Sequence, residues 1–224
     1  MYALEQMSSA LGAERVEAAP EGQTSHLLDT LTAAFIADPA VRWLYPDLQQ
    51  YLLYFPRFAK AFGGAAVPNG TAFASENFGG VALWLPPGVS SDEEALLALL
   101  HESVAERIKP EAFALFDELG RFHPHMPHWY LPLFGVDPAL QGRGAGSAIL
   151  AHALRLCDEA GLPAYLEATS PRNAGLYVRH GFEVVDEINV GDCPTIVPML
   201  RPARAGRIAA QPLGPGESFE SAAA

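Results

Sequence analysis

Val136-Asp137-Pro138-Ala139-Leu140-Gln141-Gly142-Arg143-Gly144-Ala145-Gly146 is the stretch whose reading decides the fold. It follows an apolar, strand-like run, Trp129–Val136, and precedes a helical pattern over 147–160. A strand, a glycine-rich turn and then a helix leave backbone N–H groups free at the helix start, where the macrodipole also favours anions. Gly142, Gly144 and Gly146 remove side chains from the path of a phosphate, and Arg143 adds a fixed positive charge.

Three phosphate ligands compete for this segment. A nucleoside-triphosphate loop needs a Gly-Lys-Ser or Gly-Lys-Thr ending, which is absent here. A dinucleotide loop needs Gly-x-Gly-x-x-Gly; Gly142-x-Gly144-x-Gly146 does not fit, although Glu167 lies near the offset of that fold's acidic residue. The third candidate is the pyrophosphate of coenzyme A.

Working outward, Ala164–Ala168 reads as a strand, 173–180 as a helix, 182–190 as a strand and 195–200 as a last strand, so the C-terminal half has a βαβ-like order. Upstream, Ser25 caps a predicted helix with Leu27, Leu28, Leu31, Ala34 and Phe35 on one face, ended by Asp38-Pro39. A second helix is expected over 48–62, with Pro56 setting its kink or its start. Residues 71–75 and 81–85 read as a β-hairpin around Glu76-Asn77-Phe78-Gly79-Gly80. Ser91-Asp92-Glu93-Glu94 caps a helix through His101, and 110–120 gives another.

The ends differ from the middle. Residues 1–22 carry no sustained apolar repeat and read as a weakly ordered leader. Residues 202–224 mix Ala, Gly, Pro and Ser and read as a flexible tail, so one domain is expected over 23–201. Half of the 224 residues are apolar, enough for one sizeable core. The net charge of −12 argues against nucleic-acid binding, which needs a Lys and Arg surplus, and suits a cationic substrate better. Cys157 and Cys193 form neither a metal pair nor a disulfide framework. With no signal-like N-terminus and no apolar run of membrane-spanning length, a cytoplasmic protein without a membrane partner is expected.

Gln141, Gly144 and Gly146 occupy the fixed positions of the acyl-CoA signature of the GNAT superfamily of acetyltransferases, Gln or Arg-x-x-Gly-x-Gly or Ala, and the segment resembles it. The similarity continues through Tyr165-Leu166-Glu167-Ala168-Thr169, Arg172-Asn173, Tyr177 and His180-Gly181-Phe182. Upstream, Ala33-Ala34-Phe35, Asp38-Pro39 and Val81-Ala82-Leu83-Trp84 resemble the puromycin N-acetyltransferase-like branch. The resemblance implies an α+β GNAT fold, a mixed central sheet with two splayed parallel strands, flanked by helices. It also implies acetyl-CoA as co-substrate, direct acetyl transfer to an amine of a small molecule, and a monomer or homodimer.

Carried onto this chain, the resemblance makes Trp129–Val136 and Ala164–Ala168 the splayed strands. Backbone groups around Phe134, Gly135 and Val136 would then hold the pantetheine. Amides of Gln141, Gly142, Arg143, Gly144, Ala145 and Gly146 would hold the pyrophosphate, with Asn173 in support. Direct transfer needs a proton donor for the leaving thiolate and an acceptor for the attacking ammonium. Tyr177 matches the family's tyrosine as donor. Glu167 is the candidate acceptor, directly or through a water, because in an alternating strand it shares a face with Tyr165 and Thr169.

Each assignment has a plainer counterpart: a packed ring for Tyr177, a local hydrogen bond for Glu167, a helix cap for Asn173 and solvation for Arg172. His123, His125 and His128 are close in sequence, but Pro124 and Pro127 prevent one helix from presenting them together, so they read first as residues of the entry to the next strand, with a base or substrate-contacting role for one of them, or a metal site, as lesser alternatives. The upstream aromatics, Trp43, Tyr45, Tyr51, Tyr54, Phe55, Phe58 and Trp84, are core candidates, some able to line an acceptor pocket. A non-catalytic acyl-CoA-binding module, or transfer to a protein amine or a hydroxyl, are the alternative functions.

Overall fold

A computed structural model of the chain describes residues 15–204. In chain order the elements are β1 (Val16–Ala18), α1 (Thr24–Ala34), α2 (Pro39–Leu44), α3 (Leu48–Gly63), β2 (Ala72–Ser75), β3 (Gly80–Leu85), α4 (Glu93–Ser103), α5 (Lys109–Phe122), β4 (Trp129–Val136), α6 (Ala145–Ala160), β5 (Ala164–Ala168), α7 (Pro171–Arg179), β6 (Glu183–Val184) and β7 (Val197–Arg201). The strands form one sheet in the order β1-β2-β3-β4-β5-β7-β6. Its β4–β5 pair is parallel and the other pairs are antiparallel.

Both faces of this sheet are covered, which is why β3 is apolar at every position. Val81, Leu83 and Leu85 face a cluster fed by α1 to α5, while Ala82 and Trp84 face one fed by α6 and α7. Two glycines set how closely helices approach. A Cβ on Gly135 would lie 2.5 Å from Ala34 Cβ on α1, and one on Gly80 would lie 2.6 Å from Ile149 Cδ1 on α6. Across the second face, the buried Arg201 of β7 donates bidentately to Asp158 of α6 at 2.7 and 2.9 Å, and its Nε donates to the His180 carbonyl at 3.1 Å.

Several boundaries differ from the sequence reading. Val16–Ala18, within the stretch read as a leader, pairs antiparallel with β2 and extends the sheet; residues 1–14 of that leader, and the tail from 205 onward, lie outside the described residues. Asp38-Pro39 starts a helix instead of merely ending one. The Asp38 carboxylate accepts the Ala40 and Val41 amides at 3.1 Å, and Pro39 takes the first helical position, where its missing N–H is no loss. Ser25 lies inside α1, whose N-cap position is Gln23. The helix of 48–63 starts at Leu48, capped by Asp47, and runs through Pro56.

The expected strand over 182–190 is reduced to Glu183–Val184 and one bridge, Ile188 to Ile196. This edge segment has a partner on one side only, and Asp186, Glu187 and Asn189 interrupt its apolar pattern. The chain instead leaves the sheet and packs Ile188, Cys193 and Ile196 against Leu115 of α5.

Candidate active site

The parallel pair sets the geometry. β4 and β5 are in register only at Trp129–Ala164 and Tyr130–Tyr165, and beyond that point they diverge. On its other edge β4 stays paired with β3 as far as Val136, but the register slips: two steps along β3, Leu83 to Leu85, match three along β4, Tyr130 to Leu133. The extra residue is a bulge around Leu131-Pro132, a position where a proline removes no needed ladder bond. The bulge brings Tyr130 and Leu133, which strict alternation would separate, into the same core cluster. A strand gap and unpaired backbone next to it result.

At the end of β4 the chain turns through the glycine segment into α6. Gly142 and Gly144 have φ of 76° and 94°, and a Cβ on either would meet nothing within 4 Å. The loop is therefore open on its outer side, with room for a phosphate to reach the backbone. Helical bonding begins with the Ala148 amide donating to the Gly144 carbonyl at 3.0 Å, and Gly144 supplies no side-chain cap. The amides of Ala145, Gly146 and Ser147 thus have no intrahelical acceptor. The Gln141 side chain donates to the Val136 carbonyl at 3.1 Å and ties the loop to the strand. Gly146 passes close under Phe134, where a Cβ would come within 3.2 Å of the ring. Arg143 is exposed beside these groups. This arrangement fits a bound pyrophosphate.

On the opposite face, Glu167 lines an apolar cavity of about 90 Å3. Phe55, Phe58 and Phe62 of α3, Leu115, Phe116 and Leu119 of α5, Pro132 and Leu133 of β4, and Thr169 also line it. Leu166 and Ala168 point to the other cluster, as strand alternation requires. The Tyr130 hydroxyl donates to Glu167 Oε2 at 2.8 Å. The buried Tyr165 hydroxyl lies near the same carboxylate without meeting hydrogen-bond geometry, and has no other partner. Burial pushes the Glu167 carboxyl up to about 7; the Tyr130 bond and the nearby Tyr165 hydroxyl hold it back from rising further. A carboxylate poised near neutral pH is suited to accepting a proton.

Tyr177, on α7, is buried, with its ring edge-on to Phe134 of β4 at 6.3 Å and to Phe182 at 5.9 Å between centroids. Its contact with Phe134 spans from the β5 side to the diverged part of β4. Burial first, and the Asp38 charge second, raise its hydroxyl above the ordinary phenol value, so it stays protonated. Asp38 is itself buried. Its Oδ1 accepts the two α2 amides and its Oδ2 accepts the Thr169 hydroxyl, joining the start of α2 to the end of β5.

The structure thus places Glu167 on the cavity face of β5 and Tyr177 in the cluster on the other face, against Phe134, with Phe134 through Gly146 continuing from β4 into the glycine turn. Gly135 also has a packing reason, the approach of α1. Asn173 is exposed in the first turn of α7 and does not cap it: the cap is Ser170, whose Oγ accepts the Asn173 amide at 3.3 Å. His123 and His128 meet Nε2 to Nε2 at 3.0 Å, and His123 packs edge-on to Tyr130 and Tyr165. Burial lowers His123 to about 4, leaving it neutral. Among the described residues no three His, Cys, Asp or Glu side chains group to hold a metal ion, and no helix is long and apolar enough to cross a membrane.

The sequence reading missed Tyr130 and Asp38. Tyr130 reaches Glu167 only because the bulge turns β4. Asp38 was visible as Asp-Pro, the signature of an N-cap followed by proline at the first helical position, which reads as a helix start as readily as a stop.

Residues 96–182 match the family model described as the acetyltransferase (GNAT) family. An uncharacterized N-acetyltransferase of Schizosaccharomyces pombe is 27% identical over 188 residues, covering 77% of this chain and 74% of the relative. The solved structure of histone acetyltransferase HPA2 and related acetyltransferase from Corynebacterium glutamicum superposes with a TM-score of 0.62 at 26% identity, covering 87% of this chain and 99% of that one. Arylalkylamine N-acetyltransferase 2 from Aedes aegypti shares the fold at a TM-score of 0.57 and 16% identity, covering 84% and 98%. With its splayed mixed sheet and its open glycine turn, the chain has the GNAT fold, and the segment that carries both features is the one the acetyltransferase (GNAT) family model matches.

Proposed function

We propose that the protein transfers the acetyl group of acetyl-CoA directly to an amine of a small molecule, with Glu167 as proton acceptor and Tyr177 as proton donor. The observation that carries this is Glu167: a carboxylate raised to about 7, held by Tyr130, at the base of an apolar cavity beside the strand gap. The upstream aromatics that line this cavity, and the resemblance of 33–39 and 81–84 to the puromycin N-acetyltransferase-like branch, support a small-molecule acceptor over a protein.

Acetyl-CoA supplies an activated thioester. The chain's own groups do the rest. The free amides of Ala145, Gly146 and Ser147 and the Arg143 guanidinium fit the pyrophosphate, and the unpaired edge of β4 around Phe134, Gly135 and Val136 fits the amides of the pantetheine arm. Glu167 takes one proton from the ammonium. The freed nitrogen forms the new C–N bond as the C–S bond breaks, and the second proton it sheds on becoming an amide restores the Tyr177 hydroxyl, directly or through solvent, after that hydroxyl has protonated the sulfur. The Tyr177 hydroxyl first donates a hydrogen bond to the departing sulfur and gives up its proton as negative charge develops there. Its raised pKa makes it a weak acid, so hydrogen bonding is the larger part of its contribution.

The test is release of CoA thiol from acetyl-CoA with a panel of small amines, alongside acetyl-CoA binding by calorimetry. Glu167→Gln and Tyr177→Phe are expected to lose turnover while still binding acetyl-CoA. A Tyr177→Phe variant with full turnover would remove the donor role, and binding without thiol release for every amine would remove the transferase reading.

A further inference from the structure

Among the described residues, the acceptor cavity has an unequal composition: one ionisable carboxylate among apolar walls. Glu167 provides that carboxylate, while the nearby Asp38 has its oxygens engaged by the Ala40 and Val41 amides and the Thr169 hydroxyl, and does not line the cavity. The one tyrosine of the lining, Tyr45, has its hydroxyl bonded to Ser103 Oγ at 2.9 Å, and burial raises its pKa, so it brings no charge. The walls supplied by α3 and α5 are Phe55, Phe58, Phe62, Leu115, Phe116 and Leu119.

From this we infer that the acceptor is a compact primary amine with one positive charge on an apolar body, and that amines with a second cationic group are rejected. This rests on acetyl transfer at Glu167. One ammonium entering the cavity meets one carboxylate. When Glu167 has taken its proton and the amide has formed, the cavity is neutral. A second ammonium or a guanidinium at the far end would lie against phenylalanine and leucine side chains with no partner, and burying an unpaired charge is among the most unfavourable events available to a binding site. The net charge of −12 draws cations of every kind to the surface, so the discrimination is made inside the cavity and not on approach.

Hexylamine and 1,5-diaminopentane give a clean test, being equal in heavy atoms and differing in a terminal methyl against an ammonium. With saturating acetyl-CoA, kcat/KM for hexylamine is expected to exceed that for 1,5-diaminopentane by about 100-fold, on the order of the cost of an unpaired charge in an apolar site. Rates within tenfold of each other would overturn the inference while leaving the transferase reading intact. No thiol release with either amine, or with any other in the panel, would instead remove the transferase reading itself. Phe116→Glu places a second carboxylate on the α5 wall and is expected to narrow the gap at least about tenfold by raising the diamine's rate. Equal loss with both amines would count against it. If that variant does not fold, the comparison on the unaltered protein still decides.

Discussion

The two halves of the active site are built in different ways. The donor side, from Phe134 to Ser147, is one continuous segment and works mainly through backbone: amides without acceptors and left-handed glycines at Gly142 and Gly144. The acceptor side works through side chains that arrive from the end of α1 at Phe35, from α2, α3, α5, β4 and β5, and from Ile196 before β7, more than 150 residues apart at the extremes. A phosphate group can be held by any chain with the right local dihedral angles, which a short motif dictates. A particular amine has to be enclosed, which requires distant elements to converge. The donor half is therefore generic and the acceptor half individual.

Substitutions can break or sharpen that contrast. The largest effect is expected from Glu167→Gln, a fall of about 10³ in kcat with acetyl-CoA affinity unchanged. The base works when ionised, so kcat/KM of the unaltered protein should rise with pH to a plateau above about 7, and the variant should lose that limb. Stability should move the other way. Because folding raises this carboxyl from its ordinary 4.5 to about 7, its ionisation opposes folding, with no penalty below about 4.5 and the full penalty above about 7. Glu167→Gln should thus be more stable to unfolding than the unaltered protein at pH 8, by about 3 kcal/mol, and not at pH 4.

Tyr177→Phe comes next, with kcat lowered about 100-fold and both Michaelis constants near their original values. On the donor side, Gly144→Ala strains a residue at φ 94° and should raise KM for acetyl-CoA about tenfold while leaving KM for the amine alone, the reverse of any acceptor-wall substitution. The smallest effect on rates is expected from Gly135→Ala, where the two halves touch. Its Cβ would force α1 off β4, which should cost about 2 kcal/mol in thermal unfolding and change both Michaelis constants only a few-fold.

How far the site was legible follows the same division. β4 and β5 fall on the residues their patterns mark, and the loop between β4 and α6 is where its glycines put it. Glu167 on the face of Thr169 also follows from period-two alternation. Tyr130 does not, because a one-residue bulge reverses the parity of β4 and no alternation argument counts an extra residue. Asp38 and Thr169 stand 131 positions apart, and their bond exists only once α2 and β5 are packed. The segment after Phe182 was over-read as strand for a related reason. Its apolar residues are real, but Ile188 and Ile196 are used against α5 and not in a ladder.

The sequence by itself determined where the open glycine turn lies, since strand, left-handed glycines and helix start are local properties of consecutive residues. It also marked the proton acceptor and donor as candidates on β5 and α7. The tertiary structure alone decided that the strands part after Tyr130, that burial lifts Glu167 to about 7, and that aromatic side chains from α3 and α5 close over it. Those are properties of desolvation and long-range packing, which depend on what lies around a residue in space and not on what lies beside it in the chain.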